Sequence, residues 1–208
     1  RACPTSLGGS EMCTRDRLER FTAALINLGD TLHTPTFIES HRLAPFNPRA
    51  TDVNVVLDLM IHDIDIILHI VKSDIKEMRV SGTPVLTQST DIANARIEFE
   101  NGCVANVTAS RVSAKTERKM RIFQHDAYIS VDFHNRVLNV YKKGDKEMLP
   151  GIPEIVSEES SYENNDALNL EIIAFIDSIR NGTAVIVSGE DGRRALDAAI
   201  QISALLKD

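Results

Sequence analysis

Five polar residues, Asn54, Asp58, His62, Asp65 and His69, follow one another at steps of four, four, three and four. At about 100° per residue of α-helix, those steps stack them on one narrow stripe. Nearly everything else between Asp52 and Val71 is Val, Leu, Ile or Met, and Asp63 alone sits far round the cylinder. A solvated face is the usual origin of a polar stripe. Such faces are built from Lys, Glu, Gln and Arg, which combine good helix propensity with cheap hydration, and this stripe has none of them. Asp, His and Asn are short side chains that hold fixed positions and titrate or hydrogen-bond. A helix so apolar elsewhere is expected to be buried on most of its surface, so the stripe must line a cavity or a cleft between domains. Asp58 and His62 stand one turn apart. The carboxylate can therefore orient the imidazole, or the two can grip adjacent hydroxyls of one ligand. Such a histidine is a natural general base near neutral pH. His, Asp and His at helical spacing are also the material of a metal site, but the H-E-x-x-H run of a zincin is missing and no metal is expected.

The elements that position this helix read as follows. Leu18, Phe21, Leu25 and Leu28 recur at helical steps, predicting a short amphipathic helix over 18–28 that Gly29 ends. A strand over 36–43 and a loop with Pro45 and Pro48 come next, and Thr51 or Asp52 is placed to cap the polar-striped helix. Beyond it the pattern turns to β-rich runs at 77–85, 92–99, 103–112, 119–123, 127–133 and 137–142, with Asn101-Gly102 as a hairpin signal. The alternation of Ala93, Ala95, Ile97 and Phe99 against polar neighbours describes a sheet with one apolar face. Residues 143–165, acidic and containing Pro150, Gly151 and Pro153, read as a connector. Two helices close the chain, 166–180 capped by Asn165 or Asp166, and 190–206 after Ser188. The expected fold is α+β: a large, mostly antiparallel, open-faced sheet with helices packed on one face. Residues 1–17 carry no apolar period and are expected to be an irregular leader to one domain over 18–208.

Composition bounds the function. The 208 residues are 43% apolar and 25% charged, and 30 acids against 23 bases leave a net charge of −7. That field does not draw the protein to nucleic acid. Apolar runs are broken well short of the roughly 20 residues that a bilayer needs, so no membrane span is expected. Cys3, Cys13 and Cys103 are odd in number with no C-x-x-C spacing, and the opening Arg-Ala-Cys-Pro-Thr lacks an apolar signal region. A reducing cytoplasm is the expected setting. The glycosylation patterns at Asn106 and Asn181 then read as strand and turn chemistry. None of the ten glycines forms a G-x-G pair or a G-K-[ST] run, so neither a dinucleotide fingerprint nor a phosphate loop is present.

The run 57–68, Leu-Asp-Leu-Met-Ile-His-Asp-Ile-Asp-Ile-Ile-Leu, resembles the D-x-x-x-H-x-x-D helix in the C-terminal domain of the Gfo/Idh/MocA family of NAD(P)-dependent sugar and inositol dehydrogenases. Three further stretches are similar to that domain in order and spacing. These are Leu-Glu-Arg-Phe at 18–21, Phe-Ile-Glu-Ser-His-Arg at 37–42, and the closing pair formed by 165–178 with Val-Ser-Gly-Glu-Asp-Gly at 187–192. The likeness covers about residues 18–206.

The resemblance implies that His62 accepts the proton of a substrate hydroxyl and that Asp58 holds the hydroxyl or the imidazole. It also implies a substrate pocket lined by Arg20, His41 and Arg42, with Asn54 and Asp65 of the stripe as further contacts. The bland reading of each stays open: Arg20 as a helix-end cap, and His41 and Arg42 as exposed strand residues. The family implies NAD or NADP as cofactor, but its Rossmann domain, with the glycine-rich turn and an E-K-P lysine, has no counterpart here. This chain alone is therefore expected to bind no dinucleotide and to be inactive. Gln124-His-Asp-Ala127 stands where many members have a glycine pair. The substrate is expected to be a sugar, nucleotide sugar or cyclitol, and a homo-oligomer through the sheet is the expected assembly. Arg111, Lys115, Arg118, Lys119 and Arg121 form a basic stretch that reads either as a solvated strand edge or as a seat for a diphosphate. The His-Arg-Leu-Ala-Pro-Phe stretch at 41–46 resembles members that oxidise nucleotide sugars such as UDP-N-acetylglucosamine at C3. The rival to the enzyme reading is a non-catalytic oligomerisation or binding module of the same fold.

Overall fold

The computed structural model describes residues 18–29, 31–48, 53–162 and 166–206. The expected leader and the cap candidates Thr51, Asp52 and Asn165 lie outside the described residues. Among the described residues, eight strands form one sheet: β1 Pro35–Leu43, β2 Ile75–Thr83, β3 Ile92–Phe99, β4 Val104–Ser110, β5 Glu117–Gln124, β6 Ala127–Asp132, β7 Val137–Leu149 and β8 Ile152–Ser161. Their spatial order is β2-β3-β4-β1-β5-β6-β7-β8. The sheet is mostly antiparallel. Its parallel pair is β1 beside β4, with Phe37 opposite Val104 and Leu43 opposite Ser110. β1 thus lies between two strands that follow each other in sequence, and the β4–β5 connection passes over its end, where Ser113 donates to the Ala44 carbonyl.

The period-two alternation decides what each strand offers. Ile38, Ser40 and Arg42 of β1, Ala93, Ala95 and Ile97 of β3, Ala105, Val107 and Ala109 of β4, Met120 and Ile122 of β5, and Ile129 and Val131 of β6 are all buried. Against them pack α2 (Ile61–Val71), which meets β1 and β4, and α4 (Gly189–Leu205), which meets α2 and β2. The four alanines on β3 and β4 leave room for close helix approach. α3 (Ala167–Asn181) is capped by Asp166, whose carboxylate accepts the Asn169 N–H at 3.1 Å, and α4 opens on a capping box between Ser188 and Asp191.

Three departures from the sequence reading have physical causes. The helix over 18–28 is divided into a 3₁₀ turn, Leu18–Phe21, and one α-turn, α1 (Ala23–Ile26). Ion pairs made by Glu19 and Arg20, described below, hold that turn. Residues 143–161 of the expected acidic connector are instead the long arm of β7 and the whole of β8, while 163–165 lie outside the described residues: Ile152, Ile155 and Val156 supply the β-formers, and Gly151, at φ 79°, supplies the turn. Arg118, Lys119 and Arg121 of the basic stretch lie on no strand edge, because β5 runs between β1 and β6, and Arg111 and Lys115 precede it in the connection from β4.

The start of the polar-striped helix is anchored from outside. Asp91 accepts the N–H groups of Val85, Leu86 and Thr87 at 2.8, 2.6 and 2.9 Å, together with Arg111 Nε at 2.7 Å. Arg111 Nη1 donates onward to the Val53 carbonyl at 2.7 Å. Burial alone would raise the Asp91 pKa, but those donors overcome it and hold the carboxyl well below the usual carboxylate range. A carboxyl whose folded pKa is depressed adds stability above its unfolded value, here 3.8, and that stability is lost as pH falls through the lower folded value. Arg111→Ala should cost about 3–5 kcal/mol in urea unfolding at neutral pH, because it strands a buried carboxylate. The variant should also show a shallower acid limb below pH 3.8 than the wild type; superimposable limbs would uncouple the pair.

Candidate active site

The helix that carries the site does not run as a uniform α-helix. Val56–Met60 is a π-helical stretch, marked by the Ile61 N–H bonding the Val56 carbonyl five residues back, and α2 continues from it. The extra residue in that turn alters the angular register between Asp58 and the stripe beyond. Asn54 closes the helix start by accepting the Leu57 N–H at 3.1 Å, so this expected substrate contact works as a cap. Asp58 and His62 are half-buried on the first turns.

Around them lie ion pairs that sequence reading assigned differently. Arg20, from the 3₁₀ turn, grips Asp65 with Nε and Nη2, each at 2.6 Å from a carboxylate oxygen, and both residues are buried. Asp65 is therefore held by Arg20 and is not displayed to a ligand. Asp63, expected to stand apart, accepts Arg42 Nε at 3.1 Å and Nη2 at 2.8 Å, and both are only 2% exposed. Arg42 also bonds both oxygens of Glu19, with Nη1 to Oε1 at 2.7 Å and Nη2 to Oε2 shorter still. Burial would raise the Glu19 pKa, but Arg42, then His62, then Arg118 hold it below the usual range. Glu19 thus accepts both arms of Arg42 and lies 3.8 Å from Arg118. None of the sequence motifs singled it out as a site residue, although it stands beside Arg20.

His41 takes the other side of the sheet. Adjacent strand residues point to opposite faces, so once Arg42 faces α2, His41 faces away. Its side chain is 45% exposed, lies 3.7 Å from Glu117, and borders a cavity of about 260 Å³ with Glu39, Arg121 and Tyr128. His69, last of the stripe, is exposed and lines a separate cavity of about 440 Å³ with Arg20, His33 and Lys72. Burial first, then Arg20 and Lys72, lower its pKa. The five-residue stripe is therefore three things: a cap, a half-buried Asp/His pair, and residues committed to Arg20 or to a second cavity. Among the described residues, no group of three or more His, Cys, Asp and Glu is arranged to hold a metal, and no helix is long and apolar enough to cross a membrane.

The profile of the GFO/IDH/MocA C-terminal domain matches residues 27–130, half of the chain and the whole of the β1–α2–β5 arrangement that carries Arg42, Asp58 and His62. The chain belongs to the GFO/IDH/MocA family. It is 42% identical over 168 residues to a UDP-N-acetylglucosamine 3-dehydrogenase of Acidithiobacillus ferrooxidans, a stretch covering 81% of this chain and 53% of the relative. A solved structure of the UDP-N-acetylglucosamine 3-dehydrogenase GnnA from the same organism superposes with a TM-score of 0.84 at 38% identity, covering 91% of this chain and 60% of that one. A levoglucosan dehydrogenase in complex with NADH and levoglucosan shares the fold, with a TM-score of 0.74 at 15% identity over 90% of this chain and 63% of that one. The chain thus spans between one half and two thirds of the length of these relatives.

Within this GFO/IDH/MocA domain, Asp65, the last residue of the D-x-x-x-H-x-x-D run, is bonded by Arg20. Arg20→Met alone should destabilise the domain by about 3–5 kcal/mol in denaturant unfolding, whereas Arg20→Met with Asp65→Leu should recover most of that loss, because no buried charge is left single. A double variant as unstable as the single one would show that the pair holds more than its own charges.

Proposed function

We infer that this chain is the substrate and catalytic domain of an NAD(P)-dependent oxidoreductase that oxidises a hydroxyl of a nucleotide sugar, UDP-N-acetylglucosamine at C3 being the best candidate. The single observation carrying this reading is the half-buried Asp58/His62 pair at the start of a helix gripped by buried ion pairs, in a chain 42% identical over 168 residues to an enzyme of that name. His62 accepts the proton of the substrate hydroxyl, and Asp58 fixes the hydroxyl or the ring that receives its proton. Glu19 and Arg42 hold the surrounding field constant as charge develops on the imidazole. The described residues include no dinucleotide fingerprint and their sheet is not of the parallel type that seats one, so they do not fit a nicotinamide cofactor by themselves. They supply the proton-accepting half of the oxidation, and a cofactor domain of the family supplies the hydride acceptor.

The assembly we propose is a homo-oligomer through the sheet face opposite α2, in a cytoplasmic setting. On that face Phe37, Phe123, Tyr128 and Tyr141 stand in register across four strands, with ring centroids 6.0, 4.9 and 5.2 Å apart. The charges beside this row are paired, Glu39 with Arg121, Glu117 with Lys115 and Lys119 with Asp132. An aromatic, locally neutral face is cheap to desolvate against a copy of itself. Tyr128→Asp should shift the protein toward monomer in light scattering; an unchanged mass would place any oligomer contact elsewhere.

For the chemistry, the chain is joined to a cofactor domain of the family and assayed with UDP-N-acetylglucosamine. His62→Ala should lower hydride transfer by about two to four decades with little change in unfolding. A variant with wild-type rates removes His62 from the reaction, and a fusion that binds UDP-N-acetylglucosamine without ever oxidising it favours the binding-module reading.

A further inference from the structure

We propose that Arg118 is the anion-binding residue of this site and seats the diphosphate of a nucleotide-sugar substrate beside His62. The proposal rests on the function proposed above and narrows its substrate class.

Arg118 lies on β5 directly opposite Arg42 on β1, and residues opposite each other on neighbouring strands project from the same face of the sheet. Met120 and Ile122 continue that face of β5 and are fully buried beneath the helices. At Arg118 the same alternation reaches the end of the covered region, and its side chain is 48% exposed. An edge-protecting role does not account for it, since β5 is an interior strand. Lys119 and Arg121, its basic neighbours, point to the other face, where Asp132 and Glu39 pair with them.

The other arginines beside the helix are spent. Arg20 is held by Asp65, Arg42 by Asp63 and Glu19, and Arg111 by Asp91. Arg118 reaches Glu19 only at 3.8 Å, and both Glu19 oxygens already accept from Arg42. Among the described residues, then, Arg118 is a half-exposed guanidinium that approaches a single carboxylate, at 3.8 Å, on the α2-facing side of the sheet and beside the Glu19 that Arg42 ties to Asp63, the residue after His62. A planar fork of five donors suits two phosphate oxygens at once. The neutral sugar ring would then lie toward Asp58 and His62, and the diphosphate toward the β5 end.

The 208-residue chain and its Arg118→Ala and Arg118→Lys variants are titrated with UDP-N-acetylglucosamine, UDP and N-acetylglucosamine, following amide shifts by NMR. Arg118→Ala should weaken UDP-N-acetylglucosamine and UDP by about tenfold or more, Arg118→Lys by less, and neither should move the response to N-acetylglucosamine. Spectra of the free variants should overlay that of the wild type except near residue 118, which separates a lost contact from a lost fold. Equal affinity of wild type and Arg118→Ala for UDP-N-acetylglucosamine overturns the role of Arg118 and leaves the proposed function standing. A wild-type chain that responds to none of the three at millimolar concentration overturns the nucleotide-sugar reading, and this proposal with it.

Discussion

A buried charge must meet its opposite, and that requirement sets the geometry of this domain. Asp63 and Asp65 leave the same turn of α2 in different directions, and both are buried. Each is tolerable only because an arginine from another element reaches it, Arg42 from β1 beneath the helix and Arg20 from the segment beside it. Three elements, the 3₁₀ turn, β1 and α2, are thereby locked at fixed distances. Desolvation makes the lock stringent: a shift that lengthened one pair would leave a bare charge among the apolar side chains of the core. His62 precedes Asp63 directly, so the clamp that holds the architecture also holds the proposed base.

The opposite end of the helix is controlled by a second set of bonds. Arg111 joins Asp91, the loop after β2 and the Val53 carbonyl, while Asn54 closes the first turn. Between these anchors the π-helical stretch places Asp58 at its own angle. The pair proposed to react sits on a helix fixed at both ends, which keeps its geometry better than a loop would, as proton transfer over a hydrogen-bond distance demands. The sheet contributes in a different way. Its α2-facing side carries Arg42 and, where the helices end, Arg118, while its other side carries an aromatic row and paired charges, the face proposed above for assembly.

Sequence reading and structure diverge at identifiable residues. The polar stripe was legible because Asp, His and Asn at helical steps on an apolar cylinder are rare without a reason. The stripe carried no sign that Asp65 would meet Arg20, 45 residues away, or that Asn54 would turn back onto the Leu57 N–H. His41 and Arg42 both come from the 37–42 stretch that resembles the family, although adjacency in a strand is the arrangement that separates two side chains. Arg118 was concealed in a basic stretch whose members turn out to alternate between the two faces. β8 was missed because acids, Pro150 and Gly151 dominate the local signal, whereas its pairing with β7 satisfies the backbone at long range.

By itself the sequence determined what depends on neighbours a few residues apart. This includes the cap at Asp166, the box at Ser188 and Asp191, the Asn101-Gly102 turn with Gly102 at φ 85°, the apolar alternation of β3 and β4, and the Asp58/His62 spacing. Those features arise from local hydrogen bonds and side-chain periodicity, which are written in consecutive residues. Tertiary structure alone decided which acid is consumed by which arginine, which face of β1 and β5 looks at the helix, and that β1 lies between β4 and β5. Each of these turns on strand order and on pairing between distant elements, and a charge has no preferred partner until folding removes water from around it.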